Sequence, residues 1–238
     1  MSTLRLALVG VALVATMGAC ATGSIGPPPK AEQPDSAGIG LDVQLQLLWS
    51  RNAAKVYFVK LDGASIPLTD QIIASNYAKE GRVYLLNATP GEYAAVAASF
   101  TMPDLFRTLT YTAYFPRDLA QLTRVTVHKG HLAFAGRYAV NMTVDVCPDK
   151  ADDMQLHYSD ALAPGAVKCG FLARLGQELR SSSFTIIGGR PYSLGSSTSS
   201  FHYSASLDSA QRDAPAQNSF LQQAASDLAD GGWSSMLR

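Results

Sequence analysis

Short apolar segments separated by turn residues dominate the sequence from Ile39 onward. Within them Val, Tyr, Phe and Leu alternate with polar residues or run continuously, and Gly, Pro, Asn and Asp bound them. Patterns of this period and length are typical of β-strands, and many short strands at close spacing indicate a sandwich or a barrel. We predict strands at residues 41–49, 55–61, 82–86, 92–100, 109–115, 124–128, 131–141, 143–147, 183–187 and 200–207.

Two turns in this pattern are well specified. Pro90-Gly91 combines a fixed φ with a residue that tolerates positive φ, as a type II turn requires. We therefore predict that strands 82–86 and 92–100 are adjacent and antiparallel, with the turn setting their register. Lys129-Gly130, between Val127-His128 and His131-Leu132, similarly predicts a two-residue hairpin.

Helical patterns are few. The segment 171–180 places Leu172, Leu175 and Leu179 on one face, which predicts a short amphipathic helix. After Pro215 apolar residues recur at helical spacing until Gly231-Gly232, which predicts a C-terminal helix that ends there. We expect Trp233 to fold back against the domain. The apolar positions of the C-terminal helix are Phe220, Leu221, Ala224, Ala225 and Leu228.

A strand-turn-strand motif lies within residues 55–100. Val83-Tyr-Leu-Leu followed by Thr89-Pro-Gly-Glu-Tyr-Ala-Ala-Val resembles the Pro-Gly turn and flanking strands of prealbumin-like sandwiches, including PEGA-type surface modules. The resemblance implies a mainly β fold, an antiparallel prealbumin-like β-sandwich over residues 39–209, followed by a C-terminal helix and tail over 210–238. A second stretch, 114–136 together with Gly232-Trp233, resembles a family of uncharacterised proteobacterial lipoproteins, which implies no known activity.

The N-terminus has the composition of a secretory signal peptide. Arg5 supplies a positive charge and residues 6–17 are apolar, a run too short to span a membrane as a helix. Gly18-Ala19-Cys20 then resembles the lipobox of bacterial lipoproteins. The resemblance implies that the signal peptide, residues 1–19, is removed and that Cys20 is lipidated; ordinary cleavage after Ala19, with Cys20 incidental, is the alternative.

Residues 20–38 hold Gly, Pro, Ser and Ala with almost nothing to bury, which predicts a lipidated, disordered tether. A flexible chain of this length reaches roughly 23 Å. Attached acyl chains would be a sufficient membrane contact, since each buried methylene contributes about 0.8 kcal/mol. By resemblance, Ala21 in place of Asp after the cysteine implies sorting to the outer membrane, with either face of that membrane open.

The cysteine count gives a further prediction. Of three cysteines, Cys20 is assigned to lipidation, which leaves Cys147 and Cys169 as a pair in an oxidising compartment. A disulfide between them would contribute about 3.4 kcal/mol by restricting the unfolded chain. Two free buried thiols are the alternative.

The charge balance and the motif content of the sequence argue against several classes of function. Nineteen basic and 19 acidic residues without a basic stripe argue against nucleic-acid binding, which needs a positive surface. The sequence holds no Gly-x-Ser-x-Gly motif and no phosphate-binding glycine loop after a strand, so we expect neither an enzyme nor a cofactor.

Two clusters of potential metal ligands have simpler interpretations. His128 and His131 flank a predicted turn and could converge, but no third ligand is evident nearby, which favours solvated turn residues. Asp149, Asp152 and Asp153 could coordinate calcium, yet they lack the order and the glycine of an EF-hand. A solvated acidic loop is therefore preferred, and we expect no metal site.

Aromatic residues of the later strands have two interpretations, a platform for sugar or peptide or the core and rim of the sandwich, of which the second is favoured. Two hypotheses for function follow. The favoured one is a non-enzymatic structural or protein-interaction module of the cell envelope, anchored in the membrane by lipid and bound to an envelope protein. The alternative is a domain that binds glycan, peptide or metal. The aromatic residues are Tyr111, Tyr114, Tyr138, Tyr158, Tyr192 and Tyr203.

Overall fold

A computed structural model describes residues 26–61, 72–103, 107–145 and 197–237. Several predictions lie outside these residues. They are the signal peptide, Cys20, the Cys147 and Cys169 pair, the helix 171–180, the strand 183–187, the acidic loop at Asp149, and Tyr158 and Tyr192.

The described residues form a mainly β fold, which confirms that part of the prediction. The strands are β1 Gly38–Gln46, β2 Ser50–Asn52, β3 Lys55–Leu61, β4 Ile72–Ala74, β5 Tyr77–Lys79, β6 Arg82–Leu86, β7 Gly91–Pro103, β8 Arg107–Tyr114, β9 Val125–Val127, β10 Leu132–Asp145 and β11 Ser197–Gln211. The helices are α1 Arg117–Leu122 and α2 Ala214–Asp227, followed by two 3-10 turns, η1 Ala229–Gly231 and η2 Ser234–Met236. No helix within the described ranges has the length and apolarity to span a membrane.

The strands join one curled sheet in the order β4-β3-β7-β8-β11-β10-β1-β6-β5, with β2 on β1 and β9 on β7. Two pairs are parallel, β1 with β10 and β8 with β11. The sheet is therefore mixed, and the prediction of an antiparallel sheet is wrong. The parallel partners are distant in sequence, Gly38 lying opposite Leu132, so local turn patterns contain no information about them.

The two ends of this strand order are consecutive pieces of one segment, residues 72–79. Its first half, β4, pairs with β3, and its second half, β5, pairs with β6. Between them the Ser75 amide donates to the Val56 carbonyl at 2.8 Å and the Asn76 amide donates to the Tyr84 carbonyl at 3.0 Å. One short segment thus supplies both end strands of the order and links the two edges of the curled sheet.

Because side chains alternate between the two faces of each strand, the fold contains two hydrophobic cores. In β6, Val83 and Leu85 face the large core inside the curl, whereas Tyr84 and Leu86 face outward, because successive strand residues point to opposite faces. The outward residues pack beneath α2 and the C-terminal turns. The outer core contains Tyr77, Tyr84, Leu86, Leu132, Phe220, Ala224, Leu228, Trp233 and Met236.

Close contact between α2 and the sheet depends on Gly40 of β1. A Cβ atom at Gly40 would lie 2.5 Å from the ring of Phe220, so only glycine leaves room for that side chain. The helix begins where the sequence predicted it, but it ends at Asp227, before Gly231-Gly232, and a 3-10 turn follows. Asp213 caps its N-terminus by accepting a hydrogen bond from the Ala216 amide, and Trp233 folds back and is fully buried, as expected.

The strands around the two predicted turns pair differently from the prediction. β6 pairs with β1 and β5, while β7 pairs with β3, β8 and β9, so β6 and β7 are not adjacent. The His131 amide does donate to the His128 carbonyl at 3.3 Å across a turn. However, β9 pairs with β7 and not with β10. A turn reverses the chain without deciding which strands bond to each other.

Candidate functional site

The hairpin between β1 and β2 has an apolar apex, which we call the hairpin tip, residues 47–49. Gln46 lies opposite Ser50, and the Leu47 amide donates to the Trp49 carbonyl at 3.2 Å, so three apolar residues form the connection. Leu48 is 85% exposed and Trp49 is 44% exposed. Two adjacent large apolar side chains at a defined apex form a contact surface that water solvates poorly.

At the other end of β1 the chain enters through residues 28–37, which we call the strap. Trp233 Nε1 donates to the Pro29 carbonyl at 2.7 Å, and the Ala31 amide donates to the Gly231 carbonyl at 2.9 Å. Pro28 and Ala37 are buried. Residues 28–37 of the predicted tether are therefore bound to the domain, through backbone hydrogen bonds and through the buried side chains of Pro28 and Ala37.

Asn87, at the end of β6, holds the middle of the strap from the other side. Its Nδ2 donates to the Lys30 carbonyl at 2.9 Å, and its Oδ1 accepts from the Glu32 amide at 3.1 Å. Asn87 has a φ of 59°, in the left-handed region that asparagine tolerates better than most residues. Farther along, the Gly130 amide donates to the Asp35 carbonyl at 2.9 Å.

The strap and the hairpin tip lie at opposite ends of strand β1. β1 begins next to the strap at Gly38 and ends next to the tip at Gln46. Nine strand residues extend over about 26 Å at the usual rise. Beside the strap, an open groove of about 500 Å³ runs along the C-terminal turns, lined by Lys30, Gln33, Asp230 and Met236 among others, a mixture without a dominant charge.

A buried charged cluster fixes α2 to the sheet. Arg82 Nε donates to Asp227 Oδ2 at 2.6 Å, and its Nη2 donates to Oδ1 at 3.1 Å. The Tyr84 hydroxyl also donates to Oδ2, at 2.7 Å, while Arg82 Nη1 donates to Gln223 Oε1 at 2.6 Å. Lys79 Nζ lies 3.7 Å from Oδ1. Both oxygens of this carboxylate are thus bound by groups of the chain itself.

The pKa shifts in this cluster have the same structural cause. The hydrogen bond to Asp227 raises the pKa of Arg82 above its usual range. Burial, followed by the hydrogen bond to Asp227, raises the pKa of Tyr84. Since the charges are matched and bonded, the cluster holds two elements together and is not arranged to transfer a proton. Nothing in the sequence pattern distinguished Arg82 or Asp227 from surface residues.

His128 and His131 are both exposed, on either side of their turn. Across the ranges that the structure describes, no group of three or more His, Cys, Asp or Glu side chains is placed to hold a metal ion.

Of the aromatic residues considered as a binding platform, four lie in the described part of the chain, and three of these are interior. Tyr114, Tyr138 and Tyr203 are buried in the inner core. Tyr111 is half-buried and stacks on Phe100, with ring centroids 4.9 Å apart, and the row continues across the strands to Phe201. In this part of the chain the aromatic side chains pack the sheet, as the favoured interpretation had it.

No protein family, curated protein or solved structure matches this chain.

Proposed function

We propose that the protein is a lipid-anchored lipoprotein of the cell envelope and acts as a non-enzymatic protein-interaction module through its hairpin tip. The observation that carries the proposal is the exposure of Leu48 and Trp49 at that tip, 85% and 44%. Burial of one leucine against a partner contributes about 1.5–3 kcal/mol. Tryptophan is among the residue types that most often dominate binding energy at protein interfaces.

The backbone of the tip also has a defined conformation. The register of β1 with β2 and the hydrogen bond between Leu47 and Trp49 fix the backbone of the apex. A contact that is already in its bound conformation loses less conformational entropy on association. We therefore expect the partner to be an envelope protein with an apolar concave surface that accepts the Leu48 and Trp49 side chains.

The anchor in this proposal is Cys20, after removal of residues 1–19, and the location is the outer membrane. Mass spectrometry of the mature N-terminus tests it directly. We expect an acylated Cys20 as the first residue, and a soluble product without acyl mass from Cys20→Ser. An unacylated N-terminus at Cys20 or elsewhere contradicts the anchor. Peptide mapping without reduction also tests the proposed Cys147 and Cys169 disulfide.

The interaction is tested by placing a photo-crosslinking amino acid at position 48 in cells. The matched control carries it at Leu122, which is exposed to a similar extent as Trp49, at 46%, but lies at the end of α1. We expect one discrete protein adduct from position 48 that disappears in the Trp49→Ala variant and is absent from position 122. Equal adducts from both positions, or adducts with lipid alone, contradict the proposal. Retention of a glycan by wild type and Trp49→Ala alike would favour the ligand-binding alternative.

A further inference from the structure

The strap and the C-terminal turns together determine how such an anchor would hold the domain. Pro28 is buried and the Pro29 carbonyl accepts the hydrogen bond from Trp233, whose side chain is fully buried. Gly231 sits between them, since a Cβ atom there would lie 2.5 Å from Trp233 Cδ1 and 3.1 Å from the Pro29 oxygen. The chain is thus fixed to the domain from Pro28 onward.

Fixing the chain at Pro28 shortens the free connection to the proposed anchor. Eight residues from Cys20 to Pro28 span at most about 29 Å when fully extended. If the strap were released up to Gly38, eighteen residues would span up to about 65 Å. The bound strap therefore halves the distance that the domain can move from the membrane.

We infer that the C-terminal turns hold the strap so that the lipid anchor keeps the strap end of the domain, on average, closer to the bilayer surface than the hairpin tip. This inference rests on the proposed lipidation of Cys20. It deepens the proposed function because it leaves Leu48 and Trp49 facing a partner and not the lipid. The surface that meets the bilayer is the end where β1 begins.

The charges at this end indicate that the anchor, and not electrostatic attraction, sets the orientation. Lys30 and Lys129 are exposed, and so are Glu32, Asp35 and Asp230. Lys129 Nζ already lies 3.2 Å from the Asp35 carboxylate. Two cations beside three anions give no net attraction to anionic lipid. The exposed cations Arg51 and Lys55 follow the tip and would be attracted to anionic lipid, so neutral vesicles isolate the effect of the anchor.

The chain contains two tryptophans, Trp49 at the tip and Trp233 at the strap, which makes the orientation measurable. The acylated protein is reconstituted into phosphatidylcholine vesicles that carry a fluorescent acceptor on their headgroups. Energy transfer from Trp233 is measured in Trp49→Phe, and the contribution of Trp49 is the difference from wild type. We expect efficient transfer from Trp233 and weaker transfer from Trp49.

Two substitutions in the Trp49→Phe background test the role of the strap. Gly231→Ala places a methyl group against Trp233 and Pro29 and should lower the transfer from Trp233 to the level of Trp49. Gly26→Ala is the matched control, since a Cβ atom there has no neighbour within 4 Å, and it should leave the transfer unchanged. If Gly231→Ala does not fold, Asn87→Ala releases the strap from its other side and should lower the transfer likewise.

The outcomes separate the two proposals. Failure of wild type to float with the vesicles overturns the lipid anchor. Flotation with equal transfer from both tryptophans overturns the orientation while leaving the anchor in place. Unchanged transfer in a folded Gly231→Ala variant, or in an Asn87→Ala variant whose residues 30–35 exchange amide hydrogen faster than in wild type, overturns the role of the strap.

Discussion

At the scale of single residues, the most consequential contact is the ion pair between Arg82 and Asp227. Their side chains are 10% and 2% exposed, so both charges have lost most of their hydration. Such a pair is not itself a large source of stability, because desolvation offsets the attraction. It does make each partner necessary to the other. The pair therefore fixes where α2 can dock on β6 more than how tightly it docks.

The first prediction follows from this dependence. Asp227→Asn leaves the Arg82 guanidinium buried without its carboxylate, and we expect the free energy of unfolding to fall by about 3–5 kcal/mol. Glu80→Gln is the matched control, because Glu80 also pairs with Arg82 but its side chain is 68% exposed. The control should lose less than about 1 kcal/mol. Urea unfolding measures both, and equal losses would refute the assignment.

A second prediction at this scale concerns Tyr138. Its hydroxyl donates to the carbonyls of Leu122 and Ala135, and burial raises its pKa to about 12. Between pH 10 and 12 the unfolded chain loses this proton while the folded protein retains it. Stability is thus complete below pH 10 and falls as pH rises through that window, by about 2–3 kcal/mol in all.

Burial raises the pKa of Tyr84 and Tyr114 in the same direction, so these tyrosines add to the alkaline loss. Urea unfolding from pH 8 to 11 measures the effect. Tyr138→Phe should reduce the steepness of the decline by up to one proton. A profile that is flat in wild type, or identical in the two proteins, would count against this account.

At the scale of elements, strands were easier to predict than their partners. β3 and β6 lie at the predicted bounds because their alternation and flanking polar residues are local properties. The predicted strand 41–49 extends past Gln46, where β1 ends. The reason is that the tip is as apolar as the strand and no turn residue marks the reversal. The six residues of α1 are too few to show a helical period. Parallel pairing of β1 with β10 depends on packing across the whole sheet, which no local pattern encodes.

The strap gives a prediction for an element that the sequence described as a tether. Asn87→Ala removes both side-chain hydrogen bonds to Lys30 and Glu32 and the residue that favours a φ of 59°. We expect faster amide hydrogen exchange in residues 30–35. Asn87→Gly is the control for the backbone, since glycine also tolerates this φ but makes neither hydrogen bond, and it should show the same increase in exchange. Equal protection in wild type and Asn87→Ala would show that the C-terminal turns hold the strap alone.

At the scale of the whole molecule, the two cores are not independent units. β5, β6 and β10 each contribute residues both to the core inside the curl and to the outer core beneath α2. Removing the outer layer would expose Tyr84, Leu86 and Leu132 to water. Unfolding of these strands would likewise remove the surface on which α2 packs. We therefore expect one cooperative unit with the C-terminal elements included.

This expectation is testable with the fluorescence of Trp233 in the Trp49→Phe variant. Its environment reports the outer core, whereas far-ultraviolet circular dichroism reports the sheet. The two urea transitions should coincide. Loss of the Trp233 signal at a lower urea concentration would mean that α2 and its turns separate from the sheet before it unfolds.

The bond between Trp233 and Pro29 also bears on synthesis, because it joins residues 204 positions apart. A chain grows from its N-terminus, so the strap emerges first but finds its partner only when almost every other residue has been made. A truncated or stalled product would keep residues 28–37 open to proteases. Protection of this segment thus distinguishes finished molecules from incomplete ones.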